Sequence, residues 1–339
     1  SGSVYNTCVG AVSGYSLTTG TLNTALGTFA LYSNTTASNN TAVGYQAGYL
    51  NLTGASNTLM GYQAGYSNTG TGLHTFIGYR AGYSTTGGTN AAFGSDALYS
   101  NTTGDDNTAI GSYRPLYNNT TGSKNIAVGR EALQANTTAS NNTAVGYQAG
   151  YTNTTGSNNT FFGYQAGYTS NTGSTSGNTA VGLQAGYSLT NGTFNNFFGF
   201  QAGYSITSGT KNTIIGSYNG NQGGLDIRTA DNAIVLSDGD GNPRMYFNST
   251  GQPFYNNMRA DPGSYTIRLL GSGEMVFDTS SAKYKNNIRD NDYGLNAVMA
   301  LQSRTFEYKN NPERTDIGLI AEEVFEVIPE LITLNKENQ

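Results

Sequence analysis

Through the first two thirds of the chain an apolar pair followed by glycine returns about every seventeen residues, separated by polar stretches rich in Asn, Ser, Thr and Gly. Its clearest form is Asn142-Thr143-Ala144-Val145-Gly146-Tyr147-Gln148-Ala149-Gly150-Tyr151. The marker glycine recurs at Gly10, Gly27, Gly44, Gly61, Gly78, Gly94, Gly111, Gly129, Gly146, Gly163, Gly182, Gly199 and Gly216, thirteen copies spaced sixteen to nineteen residues apart. Repetition at a fixed short period marks a stacked architecture. Seventeen residues cannot supply a strand and a packed helix, and helix formers are scarce while β-branched, aromatic and turn residues dominate. Each copy therefore predicts one coil of a β-solenoid. At about 4.8 Å per strand, thirteen coils make a rod of roughly 60 Å.

The pairs before the marker run from Cys8-Val9 and Ala25-Leu26 through Phe161-Phe162 to Ile214-Ile215. Neighbouring strand residues point to opposite faces, so the pattern predicts a strand buried on both sides. The coil itself covers one face. No segment of the repeats is apolar enough to cover the other, so further copies of the chain are the expected cover.

Four residues before the marker, Asn stands in twelve of thirteen copies, and His74, the only histidine, fills the remaining place. Asn tolerates left-handed turns and can hydrogen-bond to its equivalent in the next coil. A corner hydrogen bond is accordingly expected of His74 in preference to a metal or catalytic role. Tyrosines form two further columns, one directly after the marker (Tyr45, Tyr62, Tyr79, Tyr147, Tyr164) and one five residues after it (Tyr15 through Tyr99 and Tyr151 through Tyr204). They read as ring ladders that hold the coil, or as an aromatic strip facing a sugar or a surface. Arg114-Pro115 breaks the pattern in the seventh copy, where a bulge or contact point is expected.

These repeats resemble the head repeats of trimeric autotransporter adhesins, and more closely the Asn-Thr-Ala-Val-Gly-Tyr-Gln-Ala-Gly repeats of phage and large-virus fibre proteins. That resemblance, which covers residues 1 to about 220, implies a left-handed parallel β-roll in a homotrimer. The expected fold is all-β: a trimeric β-solenoid over 1–216 with about 17 residues per coil, a β-rich neck over 217–279 and a small α+β domain over 280–339.

Composition narrows the function. Nine charged residues stand in the first 220, among them Arg80, Asp96, Arg114 and Glu131, so no basic stripe for nucleic acid exists. The net charge of -5 comes from the last third. No apolar run reaches membrane-spanning length and no signal peptide is legible, so no membrane insertion is expected. Cys8 is the single cysteine, which excludes an intrachain disulfide and places it as a small residue in the buried column. Asn-x-Thr sequons such as Asn101-Thr102-Thr103 and Asn153-Thr154-Thr155 would be glycosylated only in a eukaryotic secretory route. Asp238-Gly239-Asp240-Gly241-Asn242 has the spacing that opens a calcium loop, but position twelve is Ser249 and Asp-Gly is a common hairpin turn, so no metal and no cofactor are expected.

Beyond Thr279 the chemistry changes. Ser280-Ser281-Ala282-Lys283-Tyr284-Lys285-Asn286-Asn287-Ile288, Phe306-Glu307-Tyr308, Ile317-Gly318-Leu319-Ile320-Ala321-Glu322-Glu323-Val324 and Ile328-Pro329-Glu330-Leu331 resemble the intramolecular chaperone domain of the endosialidase-type, peptidase S74 family. The resemblance implies assistance to trimerisation, and in many members self-cleavage just before the serine. It makes Ser280 the nucleophile and Lys285 its base, a role a lysine fills only if burial lowers its pKa. Ser281 stands where cleaving members frequently carry Asp; a docking segment without chemistry is the alternative.

Three functions follow: a structural and adhesive fibre, extracellular or on a virion surface, touching a host glycan or protein; a Ser/Lys autoprotease and chaperone confined to the C-terminal segment; and a polysaccharide hydrolase. The last needs paired carboxylates, for which Asp96 and Glu131, two coils apart in one column and about 9.6 Å along the stack, are the best candidates. The fibre is the favoured reading.

Overall fold

The computed structural model describes residues 5–70, 72–171, 173, 176–255, 266–269, 275–278, 294–308 and 311–329. They fall into two units, Ser1–Met258 and Arg259–Gln339.

In the first unit each repeat is one coil, and its apolar pair lies on a short strand. Strands β1 to β13 are Thr7–Val9, Thr24–Leu26, Thr41–Val43, Thr58–Met60, Thr75–Ile77, Ala91–Ser95, Thr108–Tyr113, Ile126–Val128, Thr143–Val145, Thr160–Phe162, Thr179–Val181, Asn196–Phe198 and Thr213–Ile215. Each pairs in parallel with the next, equivalent residue against equivalent residue, as in Thr143↔Thr160 and Ala144↔Phe161. The two longest, β6 and β7, meet at the irregular seventh copy, where the register shifts between Phe93 and Ser95. The anticipated bulge is there.

The parallel ladder continues one strand past Gly216. After a small hairpin of β14 (Asn221–Gln222) and β15 (Leu225–Asp226), β16 (Ile234–Ser237) joins β13 with Ile214 against Val235. Antiparallel β17 (Pro243–Phe247) and β18 (Pro253–Tyr255) then close that end of the sheet. At the other end, among the described residues, β1 has a neighbour on one side only.

The core is a single file of side chains inside the coil. The first residue of each pair, from Ala25 and Ala42 through Phe161 and Phe197 to Ile214, is fully enclosed. Its size is matched by the residue four after the marker, or five in the seventh copy with its inserted residue. Where the strand offers Ala25, Ala92, Ala109 or Ala127, that place holds buried Leu31, Leu98, Leu116 or Leu133. Where it offers Phe76 or Phe161, the place is Gly82 or Gly167, and a Cβ on either would lie 2.4 Å from the ring. Where both places are small, as at Ala42 with Gly48 and Ala144 with Gly150, the neighbouring coils fill the space with Leu31 and Leu59 or Leu133 and Phe161. Interiors fill to crystal-like density, so volume is traded between the two columns within and between coils.

The sequence places Cys8 in this buried file; the structure exposes it. Every later member is covered by coils on both sides, whereas among the described residues Cys8 has only coil two against it. Stacking supplies the burial, and β1 lacks one layer of it. The second residue of each pair points out of the coil, and in the single chain that face is uncovered, with Phe162 at 55% and Ile215 at 50% exposure.

The second unit carries a hairpin of β19 (Thr266–Leu269) and β20 (Met275–Asp278), helix α1 (Leu295–Ala300), a hairpin of β21 (Ser303–Tyr308) and β22 (Asn311–Leu319), and helix α2 (Ala321–Val327). The chain is thus nearly all β, with a small α+β region at its C-terminal end.

Candidate functional site

The asparagine column makes the corner bonds expected of it. Each Oδ1 accepts the backbone N–H of the equivalent residue one coil on, at 2.8–3.0 Å from Asn23 on Asn6 to Asn212 on Asn195. His74 keeps the chain unbroken: its N–H donates to Asn57 Oδ1 at 2.9 Å, and its Nδ1 accepts from the Asn90 N–H at 3.2 Å. Its ring stacks on Phe76, and burial pushes its pKa down to about 4. The neutral imidazole with a bare Nδ1 is the form that substitutes for an asparagine oxygen.

A second asparagine column, seven residues after the marker and eight in the seventh copy, is not apparent from the repeat pattern. Asn34, Asn51, Asn101, Asn119, Asn136 and Asn153 are fully buried. Asn101 Nδ2 donates to the Gly104 carbonyl at 2.9 Å, and Asn119 and Asn136 each also donate back to the preceding member. All six open Asn-x-Thr sequons. A glycan needs an exposed Nδ2, so the folded rod cannot carry one at these places. Chain folded before it meets glycosylation machinery should show unmodified Asn101 and Asn153 by peptide mass; chain secreted from a eukaryotic host with those sites occupied should fail to form the protease-resistant rod.

Two residues after the marker, and three in the seventh copy, runs the column that holds the candidate carboxylates. From Gln201 down to Gln148 each Nε2 donates to the Oε1 of the preceding coil at 2.9–3.0 Å, and the run ends with Gln148 on Glu131 Oε2 at 2.8 Å. Beyond it the column alternates in sign: Glu131, Arg114, Asp96, Arg80. Asp96 is buried, bonded by Arg80 at 2.8 Å and faced by Arg114 at 3.7 Å, and Arg130 lies 3.8 Å from Glu131. Alternating charges one strand spacing apart attract where like charges would repel. The two acids are therefore structural partners of arginines, and Arg114 stands between them in sequence and in the stack. This arrangement leaves no free proton donor facing a free carboxylate, which is what glycoside hydrolysis requires.

Both tyrosine columns are stacked ladders, with ring centroids 4.9–5.2 Å apart from Tyr15 to Tyr32 to Tyr49 to Tyr66 to Tyr83 to Tyr99. Tyr117 extends this run, one residue later in its copy because of the seventh-copy insertion. Arg80 lies 4.8 Å from both Tyr79 and Tyr99, tying the two ladders across the charged column. The calcium-loop candidate is a closed turn. Asp238 Oδ1 accepts from the Asp240 and Asn242 N–H groups and its other oxygen pairs with Arg244, so its lone pairs are spent. Among the described residues no group of three or more His, Cys, Asp or Glu gathers as a metal site would require.

In the second unit, Arg304 Nε reaches both Glu323 oxygens at 2.9–3.1 Å, joining β21 to α2. Val324 and Ile328 are buried, but Met299 and Ile317 are about three-quarters exposed and Leu319 half exposed. Ser280 and Lys285 lie outside the described residues. The family model described as chaperone of endosialidase, peptidase S74, matches residues 280–333. This segment is a chaperone-of-endosialidase domain. A β-solenoid rod followed by such a chaperone segment is the plan of a tail-fibre-like protein. No curated protein and no solved structure matches the chain. No described helix is long and apolar enough to cross a membrane.

Proposed function

We propose that the protein is a homotrimeric fibre, on a virion or in the extracellular space, whose rod presents its repeat surface to a host or cell surface and whose chaperone segment brings three chains together. The observation that carries this reading is the outward apolar column: Leu26, Met60, Ile110, Phe162, Phe198 and Ile215 are exposed along one edge of the single chain. A continuous apolar strip as long as the rod far exceeds what a monomer leaves in water. Copies of the same strip around an axis cover one another, each strand then being buried on both faces. The apolar residues left open on the chaperone segment fit the same association.

Native mass should give three chains per particle. Phe162→Asp, which leaves the coil's inner file untouched and places a charge on the strip, should yield soluble, folded monomer; Phe162→Leu should remain trimeric. A wild-type chain that is monomeric at micromolar concentration overturns the reading.

A second reading, self-cleavage, is favoured by one observation: the family match begins at Ser280. Ser280 would attack the Thr279–Ser280 peptide with Lys285 as base, in a single turnover on its own chain. Mature protein ending at Thr279, lost in both Ser280→Ala and Lys285→Ala, is the expected mass signature. Chains that stay intact in the wild type retire the protease and leave the fibre.

A further inference from the structure

The thirteen regular coils present ladders, and a cleft opens where the fourteenth departs from the period. Thr213 and its partner Ile234 are 21 residues apart where Asn196 and Thr213 are 17 apart, and the longer connection carries the β14–β15 hairpin. That excursion carries Asp226 and Arg228 outward beside coils eleven and twelve. A cleft of about 310 Å³ results, lined by Ser188, Ser205, Thr207, Asp226, Arg228 and Thr229. Four of its six lining side chains are hydroxyls, and the other two are a carboxylate and a guanidinium.

The charged pair is held in place. Arg228 Nε donates to Asp226 Oδ1 at 3.0 Å and Oδ2 at 3.3 Å, Nη2 donates to Oδ2 at 2.7 Å, and the Arg228 N–H donates to Oδ1 at 3.1 Å. Both side chains remain about half exposed. The Arg228 hydrogen bonds hold the Asp226 carboxyl below its usual range, so it stays ionised and keeps the guanidinium in place. The Thr207 N–H donates to the Arg228 carbonyl at 3.0 Å and locks that wall to coil twelve. The tyrosine ladder also ends here. Tyr204, next to Ser205, stacks on Tyr187 at 4.9 Å and has no ring beyond it among the described residues. The next tyrosine, Tyr218, has turned into the core, with its hydroxyl on the Leu225 carbonyl at 2.7 Å.

We infer that this cleft binds a neutral sugar, taking one or two pyranose units by their vicinal hydroxyls. Arg228 keeps Nη hydrogens that do not reach Asp226, held in direction by the carboxylate, and these donors together with the cleft hydroxyls match adjacent sugar hydroxyls. Serine and threonine hydroxyls line the rest. The paired charges cancel, and Asp226 repels an anion, so acidic sugars and phosphates are disfavoured. The volume stands at the small end of ligand clefts, enough for a mono- or disaccharide. This sharpens the attachment part of the proposed function and rests on it; three copies on one fibre would add avidity to a weak single site.

The test is saturation-transfer NMR on the full chain, with the methyl α-pyranosides of glucose, galactose, mannose and N-acetylglucosamine at millimolar concentration, and methyl α-sialoside as the anionic comparison. At least one neutral glycoside should receive transfer. Asp226→Asn and Arg228→Gln should each weaken that binding at least ten-fold, and the sialoside should give none. Thr229→Val leaves the ion pair intact and should also weaken binding, so a folding defect in the charge variants does not shelter the proposal; circular dichroism on each variant checks the rod. Silence from all four neutral glycosides, stronger binding of the sialoside, or wild-type binding by Asp226→Asn and Arg228→Gln overturns it. Oligomeric state is read separately from native mass: a trimer that binds no sugar sinks this inference alone, and a monomer that binds sugar sinks the fibre reading alone.

Discussion

Gly146→Ala is expected to split the rod at its ninth coil. The marker glycine has φ +137°, a region essentially closed to residues with a side chain. Space is equally unforgiving, since a Cβ there would lie 2.3 Å from the Gly163 carbonyl oxygen and 2.6 Å from its carbon. Both obstacles are backbone of the next coil, which cannot rotate away as a side-chain tip could. Alanine must therefore change the turn or push coil ten off coil nine, breaking the Gly163 N–H bond to the Val145 carbonyl at 2.8 Å. The combined cost should be about 3–5 kcal/mol. A solenoid is held by nearest-neighbour contacts, so the damage should stay local. Hydrogen exchange should show lost protection around Gly163 with coils one to five unaffected, and thermal unfolding should gain an early step. Gly239 has an ordinary φ and open space, with no atom within 4 Å of where an alanine methyl would stand, so it should accept alanine with a change within about 0.5 kcal/mol. Equal behaviour of the two variants would remove the close-approach argument.

Acidification should weaken the fifth coil through His74. In the folded rod its pKa is lowered from 6.5 to about 4, so between these values the unfolded chain binds the proton and the folded chain does not. Stability then rises with pH across that window; it is intact above about pH 6.5 and is progressively lost as the pH falls toward 4. The full effect is about 3 kcal/mol per chain, from 1.36 kcal/mol per pKa unit. The cause is burial first. Protonation would also place an N–H at Nδ1 against the Asn90 N–H that it now accepts, while Nε2 has no hydrogen-bond partner among the described residues to take up the charge. Asp105 is the charged group that offsets this in part. His74→Asn restores the residue used by the other twelve copies and keeps the corner bond without a titrating ring. Its denaturant midpoint should fall less than that of the wild type between pH 6.5 and 4.5; parallel curves for the two proteins would contradict the assignment.

Much of this was legible because a solenoid writes its contacts into its period. When coil n stacks on coil n+1 in register, a residue's neighbour is its own equivalent, so a column in the alignment of repeats is a row of contacts in space. The Asn6 to Asn212 ladder, the tyrosine stacks, His74 as an honorary asparagine and the outward apolar strip all follow from that. The chaperone segment was legible for another reason, its motifs being those of a family.

What the period could not state was decided by packing. The buried Asn34 to Asn153 column looks like polar loop, since Leu17, Leu189 and Ile206 share its place, and only the inward turn after the tyrosine shows those amides enclosed. Arg80, Asp96, Arg114 and Glu131 read as scattered substitutions until stacking sets opposite charges one strand apart. Cys8 belongs to the inner file by pattern but is exposed, because burial there comes from the coils on either side and it has only one. The cleft at Asp226 and Arg228 arises from residues distant in sequence that meet where the repeat ends. Local identity thus determined each coil, and the stack determined which of its side chains are covered, paired or open to a ligand.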